Sequence, residues 1–388
     1  VSMLYFDHCA STPAYPEVIQ TLSEVMSLHY ANPSSIHRAG ADADKLLGRS
    51  RALLGDLLGV KPEEWIFTSG GTESNNLAIK GAALQYRSRG NHIITTQIEH
   101  ASVYDAFAQL ERDGFRVTYL PVNSSGHVEV DRLQAALTED TILVSVMHVN
   151  NEVGSIQPIA EIGRMLKANN PRILFHVDAV QSIGKLPVEP KRWGVDLLSG
   201  SAHKLRGPKG VGFLYVREGV QLHQLLSGGS QERGLRAGTQ NVPGIVASAK
   251  AMRMSMQAMG DRRRQMDMLR SRLVEAIRAM PELLLNGSED AESMAPHIVH
   301  FSYPGMKPEV IVHMLEENGV IASTKSACSS KDSKPSRVLL AMGADIARAS
   351  GGVRISFGDE HTEQDVSALI TALHQMVNKL RPLERSAT

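Results

Sequence analysis

The chain has 388 residues, 42% hydrophobic and 21% charged, enough for one large globular domain and a smaller one. Lys plus Arg is 41 and Asp plus Glu is 41, so no whole-molecule charge favours nucleic acid, and no direct nucleic-acid binding is expected. Apolar runs such as TILVSVM and RILFHVD are too short to span a bilayer, and VSMLYFDHCASTP lacks the basic-then-apolar pattern of an export signal, so a cytoplasmic protein without a membrane partner is expected.

From about residue 60 to 215 the runs EWIFTSG, NHIITTQIEH, RVTYLPV, TILVSVMHV, RILFHVDAV, VDLLSGSAH and VGFLYV read as buried strands. Between them ESNNLAIKGAALQYRSRG, SVYDAFAQLERDG and IAEIGRMLKANN carry apolar residues at helical spacing, with glycine or asparagine near their ends. Strand and helix in alternation predict a largely parallel sheet covered on both faces. Around residues 244 to 280 the run GIVASAKAMRMSMQAMGDRRRQMDMLRSRLVEAI then reads as one long helical stretch, its six methionines packed in a seam and Arg262, Arg263 and Arg264 on the wet face. HIVHFSYPG, VIASTKSACSS and GGVRISFG alternate with further helices, as expected of a smaller α/β domain. The division placed on this pattern is residues 12–260 for the large domain, and 1–11 with 261–388 for the small one.

Two cysteines, Cys9 and Cys328, lie far apart, which excludes a disulfide framework and any CxxC metal or redox pair; no metal site is expected. Cys9 has no chemical context and reads as structural. Cys328 sits in IASTKSACSSKDSKPSR, short in bulk and rich in Ser and Lys, a poor home for a core filler. Lys325, Lys331, Lys334 and Arg337 nearby in sequence favour a thiolate there.

Open α/β sheets bind ligands beyond the carboxyl ends of their strands. Those ends carry Gly71 and Thr72 in a turn opening a helix, His100, Asn151, Asp178 with Gln181 close behind, and Ser201, His203 and Lys204. Each alone has a plain structural role: a turn, a cap, a solvated lysine. Together they match what pyridoxal phosphate requires. It takes a lysine for the Schiff base, a carboxylate that keeps the ring nitrogen protonated, and a dipole-lined cup for the phosphate.

The blocks YFDHCASTP, ANPSSIHRAG, FTSGGTESNNLAIKG, HVNNEVGSIQPI, HVDAVQSIGK, SAHKLRGPKGVGFLYV, RAGTQNVPGI and SACSS…PSRVLLAMG resemble the NifS/IscS-like cysteine desulfurases. These belong to the class V aminotransferase group of fold-type I pyridoxal-phosphate enzymes. The resemblance implies a large domain with a mainly parallel seven-stranded sheet between helices, plus a smaller C-terminal α/β domain. It implies that Lys204 is the Schiff-base lysine, Asp178 the pyridinium partner and His100 the stacking residue and acid/base. Gln181 and Asn151 would contact the phenolic-oxygen side of the ring, and Gly71, Thr72, Ser201 and His203 the phosphate. Thr239 would complete the phosphate cup of a neighbouring subunit in a homodimer, while Arg354 and Asn32 would meet the substrate. Cys328 would take sulfur from L-cysteine as a persulfide, leave L-alanine, and pass the sulfur to an acceptor protein for iron–sulfur cluster assembly or tRNA thiolation.

Six residues at five places depart from that pattern: His8-Cys9, Gly71, Ala202, Arg206 and Lys325. Selenocysteine lyase or an aminotransferase on the same scaffold, and a non-catalytic assembly protein, stay open as alternatives. A dinucleotide-binding oxidoreductase would need a GxGxxG after the first strand, and none is present.

Overall fold

The structure, a computed structural model, describes residues 3–324 and 334–384. Its strands are β1 (Leu4–Tyr5), β2 (Trp65–Thr68), β3 (His92–Thr96), β4 (Arg116–Leu120), β5 (Thr141–Ser145), β6 (Leu174–Asp178), β7 (Leu197–Ser201), β8 (Gly212–Val216), β9 (Leu284–Asn286), β10 (Ile298–Ser302), β11 (Val320–Ile321) and β12 (Gly352–Ser356). Seven of them form one sheet in the order β2-β8-β7-β6-β5-β3-β4. Its pairings are parallel except where β8 meets β2 and β7.

Every residue of β3, β5, β6, β7 and β8 is buried, which explains why their sequences are near-continuous apolar runs and not alternating ones. The polar residues among them pair across strands. His176 on β6 reaches Ser145 on β5 at 2.7 Å and Ser199 on β7 at 2.9 Å, and burial pushes its pKa down to about 3. Gly212 lets β8 pass close to the start of the helix Gly71–Gln85, since a Cβ there would lie 2.5 Å from the Gly70 backbone. That close approach seats the helix start at the carboxyl edge of the sheet.

A second apolar cluster lies over the antiparallel sheet β12-β10-β9. It joins Phe301, Val353 and Ile355 to Leu273 and Ile277 of helix Met259–Arg278 and to Leu369, Leu373 and Met376 of helix Glu363–Glu384. The start of the chain belongs to this part: β1 pairs in parallel with β11, and Asp7 bridges Ser356.

Two expectations are corrected. The stretch 244–280 is two helices, Val242–Gln257 and Met259–Arg278, broken at Ala258 (φ −96°, ψ 2°). Arg262 is not on a wet face. Its Nη2 lies 2.9 Å from Asp359 and its guanidinium sits 5.4 Å from the Tyr15 ring centre, because a buried carboxylate and phenol there supply the partners that water would otherwise provide. Among the described residues no helix is long and apolar enough to cross a membrane.

Candidate active site

The carboxyl ends of β3, β6 and β7 converge with the first turn of helix Gly71–Gln85 and with residues 9–10 around a cavity of about 280 Å3. Gly71, Thr72, His100, Asn151, Asp178, Gln181, Ser201, His203, Lys204 and Arg354 all line it. Asn32 and Thr239 are exposed and do not. Cys328 lies outside the described residues, as do Lys325 and Lys331.

Lys204 leaves the end of β7 on a single 3-10 turn, Ala202–Lys204. Its Nζ donates to the carbonyl of Ala10 at 2.7 Å and to that of Cys9. Burial pushes its pKa down to about 8, with the cations Arg354 and Lys185 adding to the effect. An amine near neutrality is a nucleophile; one near 10.5 is a spectator. Lys185 donates to the Lys204 carbonyl at 3.2 Å, and burial lowers its own pKa.

Asp178 ends β6. Its Oδ1 accepts the Val180 N–H at 3.0 Å and its Oδ2 accepts the Asn75 amide at 2.9 Å, so the carboxylate is fixed from two sides. His100 is the N-cap of helix Ala101–Arg112, and its Nδ1 accepts from the Ser102 N–H at 3.2 Å. Burial lowers its pKa. The same cause brings His203 down to about 4, with Lys204 as the next contributor.

At the other end of the cavity the helix Gly71–Gln85 opens with no side-chain cap, so its first N–H groups face outward from the helix start as an anion seat. A Cβ at position 71 would lie 2.9 Å from Val180 Cγ2, which explains glycine here. Arg354 is almost wholly buried, its Nη1 on the Asn151 carbonyl at 2.8 Å and its Nη2 on Asp7 at 3.0 Å, with Nε unpartnered. Gln181 Oε1 and Ser201 Oγ are likewise buried without a partner. Such orphans in one cavity wall are costly unless a bound molecule satisfies them. A phosphate-bearing pyridine that takes a lysine and a ring-nitrogen carboxylate fits this donor set, so pyridoxal phosphate fits the site.

Sequence reasoning missed Asn75, Ser102, and the carbonyls of Cys9 and Ala10. Asn75 carried one signal: it lies four residues after Gly71, on the same helix face. Cys9 itself is buried in an apolar cluster with Val149, Leu186, Ala295 and Ile298. Among the described residues one group of His and carboxylates lies close enough to share a cation: His8, Glu360 and His361. It is wired otherwise. His8 Nε2 pairs with Glu360 at 2.6 Å, and His361 Nδ1 accepts the Gly358 N–H, which puts that ring's proton on Nε2 and leaves it no free lone pair.

The aminotransferase class-V family profile matches residues 4–369. A cysteine desulfurase IscS of Clostridium botulinum is 42% identical over 98% of this chain and 96% of its own length. One from Methanosarcina thermophila is 44% identical over 97% and 93%. A solved structure described as a NifS-like protein superposes with a TM-score of 0.91 at 38% identity, covering 97% of this chain and 100% of that one. With the cavity's lysine, carboxylate and helix start in place, the chain belongs to the class-V aminotransferase family, in its cysteine desulfurase branch.

Proposed function

We propose that this chain, a pyridoxal-phosphate-dependent cysteine desulfurase, converts L-cysteine to L-alanine with Lys204, Asp178, His100 and Arg354 around the cofactor and Cys328 as sulfur acceptor. The observation that carries this reading is the Lys204 amine. It is half-buried, drawn down toward neutrality, and opens onto the same cavity as Asp178 and the helix start at Gly71.

The bound cofactor supplies an electron sink that makes the substrate's α-carbon acidic and its β-carbon–sulfur bond labile. The chain supplies everything else. Lys204 holds the cofactor and, once released, its amine takes the α-proton. Asp178, immobilised by Asn75 and the Val180 N–H, would pair with the cofactor's ring nitrogen. Gly71, Thr72, Ser201 and His203 would hold the phosphate, and Gln181 and Asn151 the phenolic-oxygen side. Arg354 offers its unpartnered Nε to the substrate carboxylate, while Asp7 and the Asn151 carbonyl fix the plane of the guanidinium. The thiolate of Cys328 attacks the substrate sulfur: a sulfur–sulfur bond forms, the carbon–sulfur bond breaks, and its electron pair stays with the carbon skeleton that leaves as alanine.

Both flanks of the segment bearing Cys328 are anchored, one to a residue of the cavity wall and one beside His100, which supports its role. Ser323 exchanges backbone hydrogen bonds with Arg354, at 2.7 and 3.2 Å. Ser336 Oγ donates to Glu152 at 2.5 Å, and Arg337 donates to the carbonyls of Gln97 and Glu99 beside His100. Cys328 is four residues from Thr324, within about 14 Å of fully extended chain.

A homodimer in which Thr239 completes the neighbouring phosphate cup, with Asn32 near the substrate, extends this reading, as does sulfur delivery to an acceptor protein for iron–sulfur assembly or tRNA thiolation in the cytoplasm. Lys204→Ala should abolish the visible cofactor band and all turnover. Cys328→Ser should keep the band and lose persulfide and sulfide release. A Cys328→Ser enzyme that releases sulfide from cysteine at the wild-type rate would refute the assignment.

A further inference from the structure

We infer that Ser102 and Asn75 are positioning residues that lock His100 as its Nε2–H tautomer, so that the ring nitrogen left for a bound molecule is a hydrogen-bond donor and not a base.

The hydrogen accounting allows one solution. The Ser102 N–H, an obligate donor, points at His100 Nδ1 from 3.2 Å, so Nδ1 must present a lone pair. The Ser102 hydroxyl lies 2.8 Å from the same nitrogen. That hydroxyl accepts from Asn75 Nδ2 at 2.9 Å, which turns its own hydrogen toward the imidazole. Asn75 in turn cannot be flipped. Its Nδ2 also faces the Asp178 carboxylate, which takes donors only, at 2.9 Å. Both hydrogens of that amide are spent, one on Asp178 and one on Ser102. The chain of donors runs from Asn75 outward in two directions, fixing the ring-nitrogen carboxylate and the histidine tautomer with one side chain. Asn75, Ser102, His100 and Asp178 all line the cavity.

The consequence is chemical. A neutral His100 that removed a proton would need the lone pair of Nδ1, which already faces two donors and not the substrate. Protonating Nδ1 would set an N–H against the Ser102 N–H. His100 therefore serves by donating Nε2–H, to the cofactor or to the sulfur as negative charge gathers there. Burial is the largest influence on the ring. Asp178 and Asp105 favour its protonation, and Lys204 and Arg337 oppose it. The two Ser102 donors stabilise the neutral form further. The tautomer stands on contacts within the chain; its use in sulfur release rests on the function proposed above.

The test is nitrogen NMR of the full-length protein labelled with 15N-histidine, before and after loading with pyridoxal phosphate. The chain has 15 histidines, so His100→Gln identifies the resonances. The expected spectrum shows His100 Nδ1 unprotonated and Nε2 protonated in both states, while the visible band of the loaded protein reports separately on the cofactor assignment. Ser102→Ala, which keeps the backbone N–H and removes only the hydroxyl, should keep the tautomer and raise the His100 pKa by roughly half to one pH unit, the worth of one neutral hydrogen bond. The pH profile of kcat should move with it, and Ser102→Thr, which keeps the hydroxyl, should restore both. A proton on Nδ1 in the unsubstituted protein, or a Ser102→Ala protein that titrates like Ser102→Thr, would overturn the inference.

Discussion

Glu99, next to His100, is buried and Lys204 is half-buried, and loss of solvent acts on their charges in opposite directions. Glu99 is held by Thr96 Oγ1 at 2.8 Å and the Met147 N–H at 3.0 Å, yet burial pushes its pKa up to about 8. Folded Glu99 therefore binds a proton between about 4.5 and 8 that the unfolded chain has released. Its contribution is fully present below pH 4.5 and fades as pH rises through 8. Glu99→Gln should flatten that slope, so that the Tm difference between variant and parent grows by a few degrees in the variant's favour from pH 5 to pH 8. A constant difference would contradict the assignment. The lysine runs the other way, gaining stability as pH rises from 8 toward its unfolded value. In the sequence Glu99 is one letter before a histidine; nothing in TQIEH marks it as buried. Lys204, His100 and Asp178 were legible because strand ends are where such chemistry collects. Asn75 and Ser102 were not, because Asn75 and Asp178 are 103 positions apart and meet only once the sheet is built.

Between elements, the turn after Lys204 is tied to both the N-terminal segment and the small sheet. Arg206 holds a positive φ of 60°, a conformation that suits glycine, and is one of three non-glycine residues to do so among the described residues. The strain is offset by what its side chain reaches: Asp359 at 2.6 Å, the Pro13 carbonyl at 2.9 Å and the face of Tyr15 at 4.4 Å. Asp359 also binds Arg262 and the Tyr15 hydroxyl, and burial with that carboxylate pushes the phenol up to about 12. This network accounts for an arginine where the family resemblance led one to expect an aromatic or apolar residue. Asp359→Ala leaves two guanidinium groups facing one ring and should cost about 3 kcal/mol in urea unfolding. Arg206→Gly should be less damaging than Arg206→Ala by about 1 kcal/mol, because glycine recovers the backbone term. The reverse order would show that the φ is unstrained. The helix break at Ala258 escaped the sequence because GIVASAKAMRMSMQAMGDRRR keeps helical spacing straight through it. Just past the break Arg262 meets Asp359, a partner about a hundred residues on.

At the scale of the whole molecule, one large apolar cluster lies on the seven-stranded sheet and another on β9, β10 and β12. We propose that they define two units, residues 12–260 and residues 1–11 with 261–388. Phe301→Ala, at a fully buried position of the second cluster, should cost about 3–5 kcal/mol. Hydrogen exchange should quicken in β10, β12 and helix Glu363–Glu384 while β5, β6 and β7 keep their protection. Equal quickening in both would dissolve the division. The seven strands were legible because a sheet buried on both faces writes unbroken apolar runs. The small sheet's antiparallel pairing was not, since an apolar run carries no record of its direction and the register is set with distant partners.

The first strand has a bearing on how the molecule comes into being. Residues 4–5 pair with 320–321, Asp7 bridges Ser356, and the carbonyls of Cys9 and Ala10 grip the Lys204 amine. A ribosome makes the first of these hundreds of codons before the last. The cradle of the reactive amine therefore closes only on a finished polypeptide, and a product truncated before residue 320 would emerge with its lysine uncradled and its vitamin-binding pocket open on one side.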